Sequence, residues 1–91
     1  MARYSDMRAE EPFKDWVAIT PSDSVNIQFG SVDRAPDAVY VGGAGNIAMV
    51  DQRGGAAVTL TAVIVGQIYR IAPRRINATG TTATALVALY F

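Results

Sequence analysis

The chain has 91 residues, eight basic and eight acidic, and is 51% hydrophobic but only 18% charged. A chain this short forms one domain and buries only about 60–65% of the surface its unfolded form exposes, so so apolar a composition points to surface covered by other chains. Zero net charge excludes an electrostatic grip on nucleic acid, and the absence of cysteine and histidine removes disulfides, thiolate chemistry and the commonest metal ligand and general base.

In chain order, residues 1–17 read as an extended arm ahead of a single β domain, 18–91. Seven of the sixteen charged residues fall in the first fifteen positions, and Pro12 limits any helical turn there. Phe13 and Trp16 stand among those charges, either tucked onto the domain's own core or presented to a partner as aromatic anchors. The opening segment lacks the apolar stretch of a signal peptide, so synthesis in the cytosol is expected. The longest apolar run, residues 83–91, is too short to span a bilayer, and no membrane insertion is expected.

Val25, Ile27 and Phe29 alternate with polar residues and predict a first strand over 25–29, ended by Gly30-Ser31. "SVDRAPD" reads as a loop. Residues 38–41 predict a second strand and 47–50 a third. Between them, "VGGAGNIA" places Gly43, Gly45 and Ala48 at the G-x-G-x-x-G/A spacing of a dinucleotide site. That motif needs a helix after the glycines to hold the pyrophosphate. Only the eight residues from Asn46 to Arg53 precede Gly54-Gly55, and Ile47 to Val50 are apolar on all sides. Gly42, Gly43 and Gly45 therefore predict a hairpin turn, as Gly54, Gly55 and Gly80 predict turns further on, and no cofactor is expected.

A fourth strand is expected over 57–65, with Val58, Leu60, Ala62 and Ile64 on one face and Thr59 and Thr61 on the other, and a bulge or bend at Gly66. A fifth covers 68–72 and ends at Pro73, a sixth 75–78 and a seventh 83–91. After Arg75 no charge appears. Leu86, Val87, Ala88, Leu89, Tyr90 and Phe91 do not alternate, which predicts a strand covered on both faces, the second cover being another subunit. The whole is all-β: a small antiparallel sandwich or jelly-roll-like barrel of about six to eight short strands.

No residue set carries catalysis, so no enzyme is expected. Asp23, Asp33, Asp37 and Asp51 sit where turn chemistry accounts for them. Asn77-Ala78-Thr79 matches a glycosylation sequon by chance in a chain with no secretory signal. Arg74 and Arg75 form a solvated turn or meet a neighbouring subunit's carboxylate. "TGTTAT" over 79–84 is a polar loop or a hydroxyl-lined contact.

Five strings in order, "AITPSDS", "AVYVGGAGNIA", "GG" followed by "VTL", "VGQI" and "RRINATGTTAT", resemble the head-spike base proteins of gene-transfer agents and related tailed phages. The resemblance covers roughly residues 18 to 90 and implies a non-enzymatic virion component on the capsid exterior. Such a component forms a ring, most simply of five at a five-fold vertex, between the major capsid protein and a host-contacting fibre. A ring hides strand edges and apolar faces, and its interface is expected at Leu86, Val87, Leu89, Tyr90 and Phe91, with Arg74 and Arg75. The alternatives are a capsid decoration or head-completion protein without a fibre, and a carbohydrate-binding module that touches the host surface through Tyr40 or the threonine loop.

Overall fold

The computed structural model describes residues 12–91, which form strands and connections with no helix among them. The strands are β1 (Asp15–Ala18), β2 (Gln28–Phe29), β3 (Val32–Asp33), β4 (Ala38–Gly43), β5 (Gly45–Val50), β6 (Val58–Val63), β7 (Ile68–Tyr69), β8 (Arg75–Ile76) and β9 (Thr84–Tyr90). They make a four-stranded sheet in the order β1-β9-β4-β7, a three-stranded sheet β6-β5-β8 and a β2-β3 hairpin. All pairings are antiparallel. Val39, Val41, Leu86, Ala88 and Tyr90 of the larger sheet and Ile47, Val63 and Ile76 of the smaller share one core with Ile27 and Ala83. The fold is the small all-β sandwich that the sequence predicts.

Several boundaries differ from the expected ones. The first eleven residues of the expected arm lie outside the described residues, but its last three, Asp15 to Val17, belong to β1 and pair with β9. The predicted 25–29 strand shortens to β2. The Ser22 hydroxyl accepts the amides of Ser24 and Val25, so a polar turn holds Val25 outside while Ile27 enters the core. Gly30-Ser31 then turns the chain at φ +66° into β3, which occupies part of the predicted loop.

The glycine cluster is not a hairpin turn. β4 and β5 are not hydrogen-bonded neighbours; only Ala44 separates them, and the chain passes there from one sheet to the other. Glycine is needed because the start of β9 crosses against it. A Cβ on Gly42 would lie 2.7 Å from Ala85 Cβ, and one on Gly45 would lie 2.5 Å from the Ala83 nitrogen.

The predicted face of the 57–65 strand also changes. One residue of β5, Asn46, opposes Thr61 and Ala62 of β6, so the bulge falls there and not at Gly66. Ala62 takes φ +57°, and its amide donates to Asn46 Oδ1 at 2.9 Å. The extra residue reverses the alternation. Val63 turns into the core and Ile64 turns out, although the sequence places Ile64 with the inward set. Gly66 instead sits in the turn before β7, at φ +83°.

Short side chains close the remaining gaps. Thr81 Oγ1 accepts the Ala48 amide and Thr82 Oγ1 accepts the Asn46 amide, each at 2.9 Å, so the hydroxyls of the 79–84 loop extend the ladder along β5. Asp23 accepts both the amide (2.9 Å) and the hydroxyl (2.7 Å) of Thr79. Asp33 accepts the side-chain amides of Asn26 and Gln28, Asp37 accepts the Phe91 amide, and Asp51 accepts the Arg53 amide and pairs with its guanidinium at 2.8 Å.

These carboxylates carry a pH prediction. Hydrogen bonds from Thr79 hold Asp23 below its ordinary value of 3.8, and those from Arg53 and Gly55 do the same for Asp51. A carboxyl depressed in the folded state contributes stability above its ordinary value and loses it as pH falls through the folded value. In denaturant midpoints measured from pH 5 to 2, Asp23→Asn is expected to be less stable than the parent at pH 5. The gap should close as the pH falls below 3.8; a gap independent of pH would remove Asp23 from the acid response.

Tyr90 gives the opposite limb. Its ring is fully buried, edge-on to Phe29 at 4.7 Å, and its hydroxyl donates to the Arg34 carbonyl at 2.9 Å. Burial pushes its phenol above the ordinary 10.0. A neutral form favoured in the folded state contributes stability below the ordinary value, lost as pH rises through the raised one. Tyr90→Phe should cost about 1 kcal/mol at neutral pH and should flatten the alkaline fall in stability between pH about 9 and 11.

Candidate functional site

The register of the four-stranded sheet sorts its residues into two faces. Val17, Ala88, Val39 and Tyr69 share one cross-strand row on the core side. On the other side, Trp16, Leu89 and Ala38 form one row, and Ala18, Val87, Tyr40 and Ile68 form a second. No charged residue occurs in either outer row. Sheets with one solvated face normally alternate apolar and polar residues. Here the central rows on both faces are apolar, and the outer ones are partly open: Trp16 is 66% exposed, Ile68 47% and Tyr40 36%.

Chain segments cover one end of that outer face. Phe13 stacks on Phe91 at 4.5 Å between ring centroids, and the Arg70 guanidinium lies over Phe13 at 5.5 Å. Ala38, in the Trp16 row, is fully buried. The region around Trp16, Val87, Tyr40 and Ile68 is the open part, and Ile64 and Val65, just before β7, are exposed as well. β1 and β7 are the sheet's edge strands, each short, which limits edge pairing and leaves the face as the larger apolar surface.

The residues expected at an interface are therefore divided. Leu86 and Tyr90 point into the chain's own core, while Val87 and Leu89 lie half-buried on the outer face. Within the single chain β9 has its core on one side only, and the second cover expected from another subunit falls on the Val87 and Leu89 side. It alternates in and out, and its outward residues happen to be apolar too. Phe91 packs on Phe13 and so lies within the chain, whereas Trp16 stands out from it. Arg74 and Arg75 are not part of this face. Arg74 lies against Gly54, whose added Cβ would meet its Nη1 at 2.8 Å, and Arg75 Nε donates to Asn77 Oδ1 at 2.8 Å. Gly54 (φ +75°) and Gly80 (φ +92°) hold backbone that favours glycine, and the Gly55 amide donates to Asp51 Oδ1.

Neither Tyr40, expected only as a host-surface contact in the carbohydrate-binding alternative, nor Ile68 was among the residues expected at a subunit interface. The signal lay in β4, where Ala38 and Tyr40 alternate with Val39 and Val41, but every member is apolar or aromatic, so the pattern does not say which side is open. Among the described residues no group of three or more Asp, Glu, His or Cys side chains is placed to hold a metal ion. No helix there is long and apolar enough to cross a membrane.

An all-β sandwich whose outer sheet face carries two partly open, uncharged rows has the build of an assembly component. Comparison with solved structures agrees. The chain is similar to a chain in the capsid of a native GTA (gene-transfer agent) particle computed with C5 symmetry, with 38% identity and a TM-score of 0.74 over 88% of this chain and 86% of that one. This protein belongs to the same family as that capsid chain and is a structural particle protein of the gene-transfer-agent and phage type. No protein-family model matches it, and no curated protein does.

Proposed function

We propose that this protein is the non-enzymatic base of a head spike: a ring of identical subunits on the capsid exterior, at a vertex, joining the major capsid protein to a host-contacting fibre. The carrying observation is that the two outer cross-strand rows of the β1-β9-β4-β7 sheet carry no charge, in a chain of capsid-particle family. A monomer gains nothing from leaving Trp16, Tyr40 and Ile68 in water, whereas a ring buries them in every copy. Five copies suit a vertex, and the related capsid chain comes from a particle treated with five-fold symmetry.

The experiment is the solution mass of the purified protein by light scattering, followed by capture on purified capsid protein and on fibre protein. The spike-base reading expects a discrete species of about five subunits that binds both partners. Capsid binding without fibre binding favours a decoration or head-completion protein, and a stable monomer that binds neither overturns the assembly reading. The carbohydrate-binding reading is weaker, because the hydroxyls of Thr79, Thr81 and Thr82 are engaged within the chain.

A further inference from the structure

Away from the apolar face, two arginines are fixed on either side of one backbone residue. The Ile27 amide donates to the Arg74 carbonyl at 3.0 Å, and the Ile27 carbonyl accepts the Arg34 amide at 3.1 Å. Arg74 is held again by its own amide, which donates to the Val50 carbonyl at 2.8 Å, and Arg34 by its carbonyl, which accepts the Tyr90 hydroxyl. Both therefore stand on rigid backbone. Both residues line a hollow of about 190 Å³, together with Asn26, Asp33 and Gln52.

The charges in this hollow do not cancel. The Arg34 guanidinium lies over the Tyr90 ring at 4.7 Å and the Phe29 ring at 5.0 Å. That contact orients the planar fork but takes none of its N–H donors. Arg74 lies against the Gly54 backbone, where any side chain would displace it. The one carboxylate present, Asp33, is engaged by the amides of Asn26 and Gln28 and by neither arginine. Two cationic residues and one hydrogen-bonded anion in the lining leave it one positive charge in excess, which is complementary to one further carboxylate.

We propose that this hollow is a socket for the carboxylate of an acidic side chain from an adjoining chain of the particle. The choice of a protein guest rests on the particle reading; the carboxylate chemistry does not. A sugar acid suits the hollow less well, because the rings nearby lie beneath Arg34 and offer no open face for a pyranose to stack on.

The test follows the Arg34 and Arg74 Nε–H signals of the isotope-labelled full chain by NMR. The probe is N-acetylglutamate N-methylamide, which carries only a side-chain carboxylate, and the control is its glutamine analogue. Both arginine signals should move together and saturably with the glutamate probe and stay still with the control. Arg74→Gln, at an exposed position, should keep the fold and raise the half-saturation concentration at least about tenfold, with Arg74→Lys between the two. Independent or absent shifts, or an unchanged Arg74→Gln titration, overturn the socket. Half-saturation by glucuronate at about one-tenth of the glutamate-probe concentration overturns the protein guest in favour of a sugar acid. The particle reading is judged separately, by the light-scattering mass.

Discussion

Trp16→Glu is expected to convert the proposed ring to monomer while leaving the monomer folded. The indole is 66% exposed in the single chain, so its own domain depends little on it, and surface changes of this kind usually move stability by no more than about 0.5 kcal/mol. In a ring the same side chain loses its water. Burying the exposed part of an indole is worth up to about 3–4 kcal/mol per contact at about 25 cal/mol per Å², and replacing it by a carboxylate adds the cost of desolvating a charge. Each subunit contact should weaken by at least about a hundredfold, enough to move the light-scattering mass to that of one chain at micromolar concentration. Val58→Glu is the control: Val58 is 63% exposed but lies on the smaller sheet, and its change should leave the mass alone. If Trp16→Glu keeps the assembled mass, the outer face of the larger sheet is not the subunit contact.

Gly45→Ala is expected to be among the most destabilising single-methyl additions in the chain. Gly45 takes φ +153°, and its new Cβ would sit 2.5 Å from the Ala83 nitrogen and 2.7 Å from the Thr82 carbonyl carbon. Both are backbone atoms held by hydrogen bonds to Asn46, so neither gives way as a flexible side chain would. Overpacking plus backbone strain should cost about 3–5 kcal/mol, against about 5–14 kcal/mol of total stability for a domain of this size. Gly30→Ala separates the two causes. Gly30 also has positive φ, +66°, but nothing lies within 4 Å of its added Cβ, so it should cost only about 1 kcal/mol. The comparison needs only denaturant midpoints of the two variants. Equal losses would mean that close approach at the sheet corner contributes nothing.

Much of the fold was legible because strand formation leaves a local record. Val39 and Val41, the break at Pro73 and the polar turns at 30–31 and 51–55 are visible as apolar runs and punctuation. What was not legible depends on the partner of each residue. The run over 86–91 does not say which residues face the chain's own core, because Val87 and Leu89 are as apolar as Leu86 and Ala88. Only the pairing with β1 and β4 shows that one set faces the core and the other an outer surface. Phe13 and Trp16 look alike in sequence, three residues apart among charges, yet one stacks on Phe91 and the other stands exposed.

Composition and periodicity by themselves determined an all-β chain without the histidine and cysteine that most catalytic and metal sites use, more apolar than its size needs. Those properties follow from residue type and near-neighbour spacing, which are written in the chain. The tertiary structure alone decided that Gly42 to Gly45 form a corner between sheets, that Asn46 accommodates a bulge which reverses the faces of β6, and that Arg34 and Arg74 are both tied to the backbone of Ile27. Each depends on backbone segments far apart in sequence: 42–45 against 82–85, 46 against 62, and 27 against 34 and 74. The requirement there is for room or for a hydrogen-bond partner, and the residue that meets it carries no mark of which distant segment imposes it.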